Sequence, residues 1–413
     1  MMVSAVSLKI LLRTLGCPGV KALPSKVDVL LVRHDLDCGY SYNGYAYSHI
    51  LDSISDVLGK LGKTRCTVAT PYSSLVGEKA YGSPFCINRA YALATIAAKL
   101  KFCGDRTRQN IYAKKNVWRT VIKAVSPKVI IGIAPGPELC WAANEMAVPV
   151  YDIQHGVIND GHAVYKYVLR DGPDEYVPTG FLCWDSTAAD TLEWARARGK
   201  EVHVVGNPWF QRFIHRKGND TLVEDALSGD MLDVIEKKTI LVTMQWGLRE
   251  FFKDSNYYEF LPEPLIQAIN KSKNKYNWLL RLHPVQVRSG IKGKVVSFLE
   301  RSFGREGNVF WEWPTSQPLP QVLAKCDLHI TDCGSTTIEA SWYGIPTALL
   351  NNRYVSGEVL ADYFVPERAC GLAVCVPQET SRILEWVSTH ERVEAGTWVC
   401  GNLHDILFDI VSD

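Results

Sequence analysis

Two consecutive α/β halves, each a Rossmann-like, doubly wound parallel sheet, are what the sequence predicts, and three observations carry the prediction. The chain has 413 residues, too many for one ordinary core and about right for two domains of roughly 200 residues each. Short β-branched runs alternate with helical stretches of ten or more residues, a spacing that demands crossover connections and hence parallel pairing. The alternation lapses once, between Pro208 and Lys238, where a polar, acidic segment around Asp220–Glu236 intervenes, and then begins again.

The elements follow in order. In the first half, strands are expected at Val27–Val32, Arg65–Ala69, Lys128–Ile133, Val148–Ile153, Phe181–Trp184 and Glu201–Val205. Helical periodicity runs through Tyr47–Leu61, Asn88–Lys101, Arg108–Ala124, Glu138–Ala147 and Ala188–Ala197. In the second half, strands are expected at Thr239–Met244, Trp278–Leu282, Val309–Trp311, Leu328–Thr331 and Thr347–Leu350. Helices between them cover Leu261–Lys273, Lys292–Phe303, Leu319–Ala324 and Thr336–Tyr343, and two terminal helices near Ser381–Thr389 and Asn402–Ile410 are expected to pack across the interface. The implied domains are 1–215, a linker at 216–238, 239–400, and a terminal helix at 401–413.

Composition narrows the class. Hydrophobic residues at 47% and charged residues at 22% describe a folded globular chain rather than a disordered one. Forty-five Lys and Arg against forty-four Asp and Glu leave a net charge of +1, so no chain-wide field favours nucleic acid as a partner. The twelve cysteines include no C-x-x-C pair, which leaves a tetrahedral zinc site unsupported and points to buried thiols in a reducing cytoplasm. The longest apolar runs, such as Val129–Ala134, fall far short of the ~20 residues that cross a bilayer. The apolar stretch Val3–Leu15, carrying Lys9 and Arg13, leaves open a peripheral contact with the inner membrane face.

In open α/β sheets ligands sit at the carboxyl ends of the strands, so chemistry is sought in the strand-to-helix loops. The strongest segment is Thr331-Asp332-Cys333-Gly334-Ser335-Thr336-Thr337-Ile338-Glu339-Ala340, followed by Gly344-Ile345-Pro346. Unpaired amides and a partial positive charge at a helix start suit a phosphate, and Ser335, Thr336 and Thr337 add hydroxyls. The same residues also suit an ordinary cap, with Glu339 the capping-box partner of Thr336. Leu282 is flanked by Arg281 and His283, followed by Pro284, at the end of a preceding strand. A cationic or hydrogen-bonding side chain there fits a phosphate leaving group, on which negative charge grows as a glycosidic bond breaks.

These motifs resemble the donor half of GT-B glycosyltransferases: His-Pro after a strand, then Ser/Thr opening a helix with Glu-Ala, then Gly-x-Pro. The likeness is closest to bacterial enzymes that use CMP-activated acidic sugars, the retaining β-Kdo transferases of capsule and lipopolysaccharide assembly, and more distantly to bacterial sialyltransferases. Asp152-Ile153-Gln154-His155-Gly156 and Val204-Val205-Gly206-Asn207-Pro208 are similar to segments of capsule polysaccharide synthesis proteins. The resemblance spans roughly Val148–Leu350 and implies two Rossmann-like domains facing a cleft, with a nucleotide sugar, first of all CMP-β-Kdo, bound by Gln245, Arg281, His283, Pro284, Gly334, Ser335, Thr336, Thr337 and Glu339. Gln154, His155 and Gly156 would line the opposite wall, and neither metal nor cofactor would be needed.

Sugar transfer passes through an oxocarbenium-like transition state, so a loop carboxylate is sought as nucleophile or base. Glu250, in Gln245-Trp246-Gly247-Leu248-Arg249-Glu250, is the first candidate and Asp160 its rival. His34 and Asp35, with Tyr42, Asn43 and neighbouring tyrosines, suit a glycan or lipid-linked acceptor, aromatic faces stacking on sugar rings. Asp35-Leu36-Asp37 has the spacing of a D-x-D metal motif but lies in the acceptor half. Three alternatives remain: a nucleotide-sugar epimerase, a glycerophosphotransferase acting on CDP-glycerol, and a non-catalytic glycan-binding scaffold.

Overall fold

The computed structural model describes residues 16, 19–35, 38–72, 77–101, 106–162, 164–214, 220–228, 237–255, 257–288, 290–304, 307–395 and 401–412. The chain divides into two compact units: Met1–Gln211 together with Val399–Asp413, and Arg212–Trp398.

In the first unit the strands are β1 (Val29–Arg33), β4 (Arg65–Ala69), β5 (Phe85–Cys86), β6 (Val129–Gly132), β7 (Val150–Ile153), β8 (Gly180–Cys183) and β9 (Glu201–Val204), with a small hairpin of β2 (Tyr40–Tyr42) and β3 (Tyr45–Tyr47). They form one seven-stranded sheet ordered β5-β4-β1-β6-β7-β8-β9, parallel throughout. Every residue of β1, β6, β7 and β8 is buried, because helices cover both faces of such a sheet, and that explains their largely apolar make-up, Arg33 and Asp152 excepted. The helices Asn88–Lys101, Arg106–Val125 and Pro137–Glu145 enclose Leu30, Val32, Trp118, Val121 and Ile130 in the core of one face.

The second unit repeats the plan with β10 (Thr239–Thr243), β11 (Asn277–Arg281), β12 (Val309–Phe310), β13 (Leu328–Thr331), β14 (Thr347–Leu349) and β15 (Ala373–Cys375). The order β12-β11-β10-β13-β14-β15 is again all parallel and winds outward in both directions from β10. Its core joins Ile240, Val242, Trp278, Leu280 and Ile330 to Leu265 and Ile269 of the helix Glu263–Ser272.

Several expectations are corrected. The stretch 216–238, read as linker, contains the helix Thr221–Ser228, whose Leu222, Val223 and Ala226 are buried. It is held to the second unit by Gln321 Nε2, which donates to the Ala226 carbonyl at 2.8 Å. The helix Thr380–Thr389 packs into the second unit's own core through Ile383, Trp386 and Val387. The final helix, Leu403–Ser412, belongs to the first unit, where Lys63 Nζ donates to Ser412 Oγ at 3.2 Å and sits 5.0 Å from the Phe408 ring centre. The tyrosine-rich segment after β1 is a hairpin rather than a loop. Asn43 and Gly44 both have positive φ, 50° and 78°, the pair of left-handed residues that a two-residue hairpin turn requires. Not all cysteines are buried: Cys370 and Cys375 are exposed.

Candidate active site

The carboxyl edge of the second sheet brings together the ends of β10, β11 and β13, at the point where strand order reverses. Gln245, two residues past β10, donates through Nε2 to Thr331 Oγ1 on β13 at 3.1 Å. Its carbonyl accepts the Gln286 side chain at 3.0 Å, and Gln286 Oε1 in turn accepts the His283 amide at 2.8 Å. Gln286 is buried, so this relay ties the loop after β11 to the loop after β10 and through it to β13.

His283 is set by local geometry. Pro284 occupies the first turn of the helix Pro284–Arg288, where its missing N–H costs nothing. The Val285 N–H, one residue on, donates to His283 Nδ1 at 3.1 Å. With Nδ1 accepting, the proton of the neutral ring belongs on Nε2, making that nitrogen a donor. Burial pushes the His283 pKa down to about 4, so at neutral pH the group is an uncharged imidazole. Of the two roles open from the sequence, the hydrogen-bonding one fits.

Gly334 stands close against two polar side chains, so a larger residue would have to displace Gln245. A Cβ there would meet Gln245 Nε2 at 2.6 Å and Thr331 Oγ1 at 3.0 Å. The helix Thr336–Ser341 then begins, with Ser335 at its cap making no side-chain cap bond. Thr337 is 1% exposed and its hydroxyl lacks a hydrogen-bond partner among the described residues, an unsatisfied group at the first turn. Glu339 is buried, and this raises its pKa to about 7 against the opposing influence of the Arg281 charge and a hydrogen bond from Thr336. Arg281 is turned the other way: Nη1 donates to the Pro314 carbonyl and, at 2.8 Å, to that of Gln317. Burial lowers its pKa to about 10, partly offset by Glu339. Its guanidinium therefore ties β11 to the end of the helix Glu312–Ser316.

Beside these residues lies a polar network with no motif in the sequence to announce it. Asp332, 3% exposed, accepts hydrogen bonds from Tyr257 at 2.5 Å, from Tyr258, and from Asn351 Nδ2 at 2.6 Å. Tyr354 donates to the Asp332 carbonyl at 2.6 Å. Burial, then the Asp332 charge, drives the Tyr257 and Tyr258 pKa values upward, so both remain donors. Tyr257 and Tyr258 come from one loop and Asn351 and Tyr354 from another, and they meet the acid only through the fold.

The other expected residues take no part in these hydrogen bonds. Glu250 is exposed on the short helix Leu248–Phe252, which starts after the left-handed Gly247. In the first unit, Gln154 is buried: Oε1 accepts the Trp184 amide at 2.6 Å and Nε2 donates to the Gly156 carbonyl at 2.9 Å, which braces β7 against β8. His155 is exposed, and Asp160 is exposed in an ion pair with Arg170 at 3.4 Å. His34 follows β1 and is half-buried, while Asp35 is buried and accepts the Gly77 amide at 3.3 Å. Asp37 lies outside the described residues. Asn43 is the hairpin turn, and Tyr42 packs on Tyr47 and Tyr81, with ring centres 6.4 and 6.3 Å away. Tyr40, Tyr42, Tyr47 and Tyr81 thus pack edge-on or tilted against one another, through Tyr47 to Trp209 at 5.7 Å, while Tyr45 is exposed.

No protein-family profile matches the chain, and no curated protein does. Solved structures do. UDP-GlcNAc 2-epimerase from Neisseria meningitidis, bound to UDP-GlcNAc, is similar with a TM-score of 0.55 at 13% identity, covering 93% of this chain and 99% of that one. The S. aureus protein MnaA, solved with UDP, matches with a TM-score of 0.54 at 11% identity over 94% and 98%. UDP-GlcNAc 2-epimerase from Methanocaldococcus jannaschii gives 0.52 at 12% identity over 93% and 99%. The fold is GT-B. At such identities the likeness speaks for the GT-B architecture, two parallel-sheet α/β domains, and the function rests on the site.

Proposed function

We propose that the second unit of this GT-B chain binds the phosphate of a nucleotide sugar and that the protein transfers the sugar to a glycan or lipid-linked acceptor. The observation that carries the reading is the junction of His283, Gln245 and the Gly334–Thr337 turn at the reversal point of the second sheet. As the bond between anomeric carbon and phosphate breaks, charge accumulates on phosphate oxygens. Donors aimed at that charge lower the barrier. His283 Nε2–H and the Thr337 hydroxyl are such donors, and the imidazole needs no protonation to serve. The order of motifs, His-Pro before Ser-Thr-Thr-x-Glu-Ala, makes CMP-β-Kdo the first donor to test. Glu250 is the first candidate for nucleophile or base, with Asp160 its rival.

A second reading, nucleotide-sugar epimerisation, is favoured by the similarity to UDP-GlcNAc 2-epimerases along nearly the whole of both chains. Thermal-shift measurement with CMP, UDP, GDP and CDP ranks the donors, since a ligand that binds only the native state raises the melting temperature. Nucleotide release that requires an acceptor supports transfer; an acceptor-independent change in the sugar's NMR spectrum supports epimerisation. If no nucleotide shifts the melting temperature and none is turned over, the nucleotide-sugar reading fails.

A further inference from the structure

The chain-wide balance of +1 conceals a strongly basic region in the first unit. From Asn88 to Val125 there are nine Lys and Arg residues and a single acid, Asp105. Before Asp28, the first acid in the chain, stand Lys9, Arg13, Lys21 and Lys26. Lys21 and Lys26 lie beside the helix Arg106–Val125: the Lys26 amide donates to the Val125 carbonyl at 2.7 Å, and Val20 packs against the core that Val117, Trp118 and Val121 help to build. The helix Pro137–Glu145 offsets part of this charge: Glu145 pairs with Lys115 at 2.7 Å and Arg119 at 3.5 Å, and Glu138 with Lys114 at 3.9 Å. Two acids do not balance the excess.

Within this region the helix Asn88–Lys101 is apolar on both sides. Its inner face places Ala90, Tyr91 and Ala94 on the core. Its outer face carries Arg89, Ala92, Leu93, Ile96 and Ala97, all exposed, at the i, i+3, i+4, i+7, i+8 spacing of one helical stripe. Leu93 is 59% exposed and Ile96 56%, among the most exposed aliphatic side chains of the molecule. A stripe of this kind at the surface of a folded chain marks a contact.

We propose that this stripe docks on an anionic membrane surface, Leu93 and Ile96 entering the headgroup region while the surrounding Lys and Arg are drawn to acidic lipids. Charge complementarity selects the occupant. An apolar stripe that carries the exposed Arg89, on a helix whose Tyr91 ring lies 5.4 Å from Lys114 Nζ, fits a bilayer interface, where aliphatic side chains and positive charge are both satisfied. A nucleic acid would use the cations and leave Leu93 and Ile96 in water. No helix among the described residues is long and apolar enough to cross a membrane, so the contact is one of lying on the surface. The surface is independent of the nucleotide reading and stands or falls without it.

The full-length chain is sedimented with phosphatidylcholine vesicles, with and without about a third phosphatidylglycerol. Binding is expected only with the anionic lipid, and is expected to weaken steeply on raising salt toward about 0.5 M. Leu93→Asp/Ile96→Asp should lose about tenfold or more of the affinity with an unchanged melting temperature. Leu93→Ser/Ile96→Ser serves in its place if the acidic pair melts early. Lys123→Glu, at an exposed position of the neighbouring helix, should lose a smaller factor. Three results overturn the proposal: no binding to anionic vesicles; full binding by the double variant, which would move the contact elsewhere; or, by light scattering, a wild-type dimer that the double variant dissolves. Retention of a duplex DNA probe in place of vesicles overturns it as well.

Discussion

The two sheets share a winding order, yet their carboxyl edges are wired differently. In the first unit, charges close on one another. Arg33, fully buried at the end of β1, pairs with Asp52 at 2.7 Å, and burial still raises the Asp52 pKa to about 6. Asp152 on β7 accepts the Ala134 amide at 2.9 Å and the Tyr165 hydroxyl at 3.1 Å, with its pKa raised by burial to about 7. In the second unit the acid at the same edge, Asp332, is tied off by two tyrosines and an asparagine, while a neutral imidazole nitrogen and a threonine hydroxyl are left over. Both edges keep buried polar atoms without a partner among the described residues, Arg33 Nε and Nη2 in the first and the Thr337 hydroxyl in the second, and what sets the second apart is the neutral imidazole beside its helix start. Strand order alone does not decide which half holds an anion.

Substitutions that break this contrast should differ in size. Arg33→Met leaves Asp52 buried without its cation and should cost about 3–5 kcal/mol in urea unfolding, and adding Asp52→Leu should restore most of that. A cost below about 1 kcal/mol would show that the first edge is not braced by this pair. Gly334→Ala forces Gln245 off Thr331 and should cost about 1–3 kcal/mol, with weaker nucleotide binding because the relay to His283 passes through Gln245. Retained nucleotide affinity would uncouple the two loops.

His329 gives a pH test inside the second sheet. It bridges Thr243 Oγ1 at 2.8 Å and Thr347 Oγ1 at 3.0 Å, and burial lowers its pKa to about 3. The unfolded chain takes up this proton below about 6.5 and the folded chain does not, so the wild type loses stability as pH falls from there toward about 3. His329→Gln should cost about 1 kcal/mol at neutral pH, and the gap to wild type should narrow as pH falls. A gap that is constant with pH would mean that the folded protein protonates His329. The smallest stability effects belong to Glu250→Gln and Asp160→Asn, each within about 0.5 kcal/mol because both side chains are exposed. Only one of them should lose turnover heavily.

Much of the architecture was legible in the chain because buried parallel strands have to be continuous apolar runs: Val129–Gly132 and Leu328–Thr331 announce themselves. The ends of helices were less so, as with the expected helix over Ala188–Ala197, which is two short ones, Ser186–Thr191 and Glu193–Ala197. Asn43-Gly44 between alternating tyrosines is a strong hairpin signal, and the same tyrosines that suggest sugar stacking form the strands on either side of it. At the site, His283 and the Gly334–Thr337 turn lie next to each other in motif order and could be read. The clamp on Asp332 could not, since Tyr257, Tyr258 and Asn351 carry no local pattern and meet only across the sheet edge. The opposite roles of Arg281 and Gln154, both turned to backbone groups, depend on rotamers that no spacing encodes.

The most direct measurement is diffraction from a crystal soaked with CMP. The phosphate is expected within hydrogen-bond distance of His283 Nε2 and of the first turn of the helix Thr336–Ser341, and lost from His283→Ala crystals under the same soak. A phosphate bound in the first unit, or one indifferent to His283, would contradict the assignment of the second sheet's edge as the anion site.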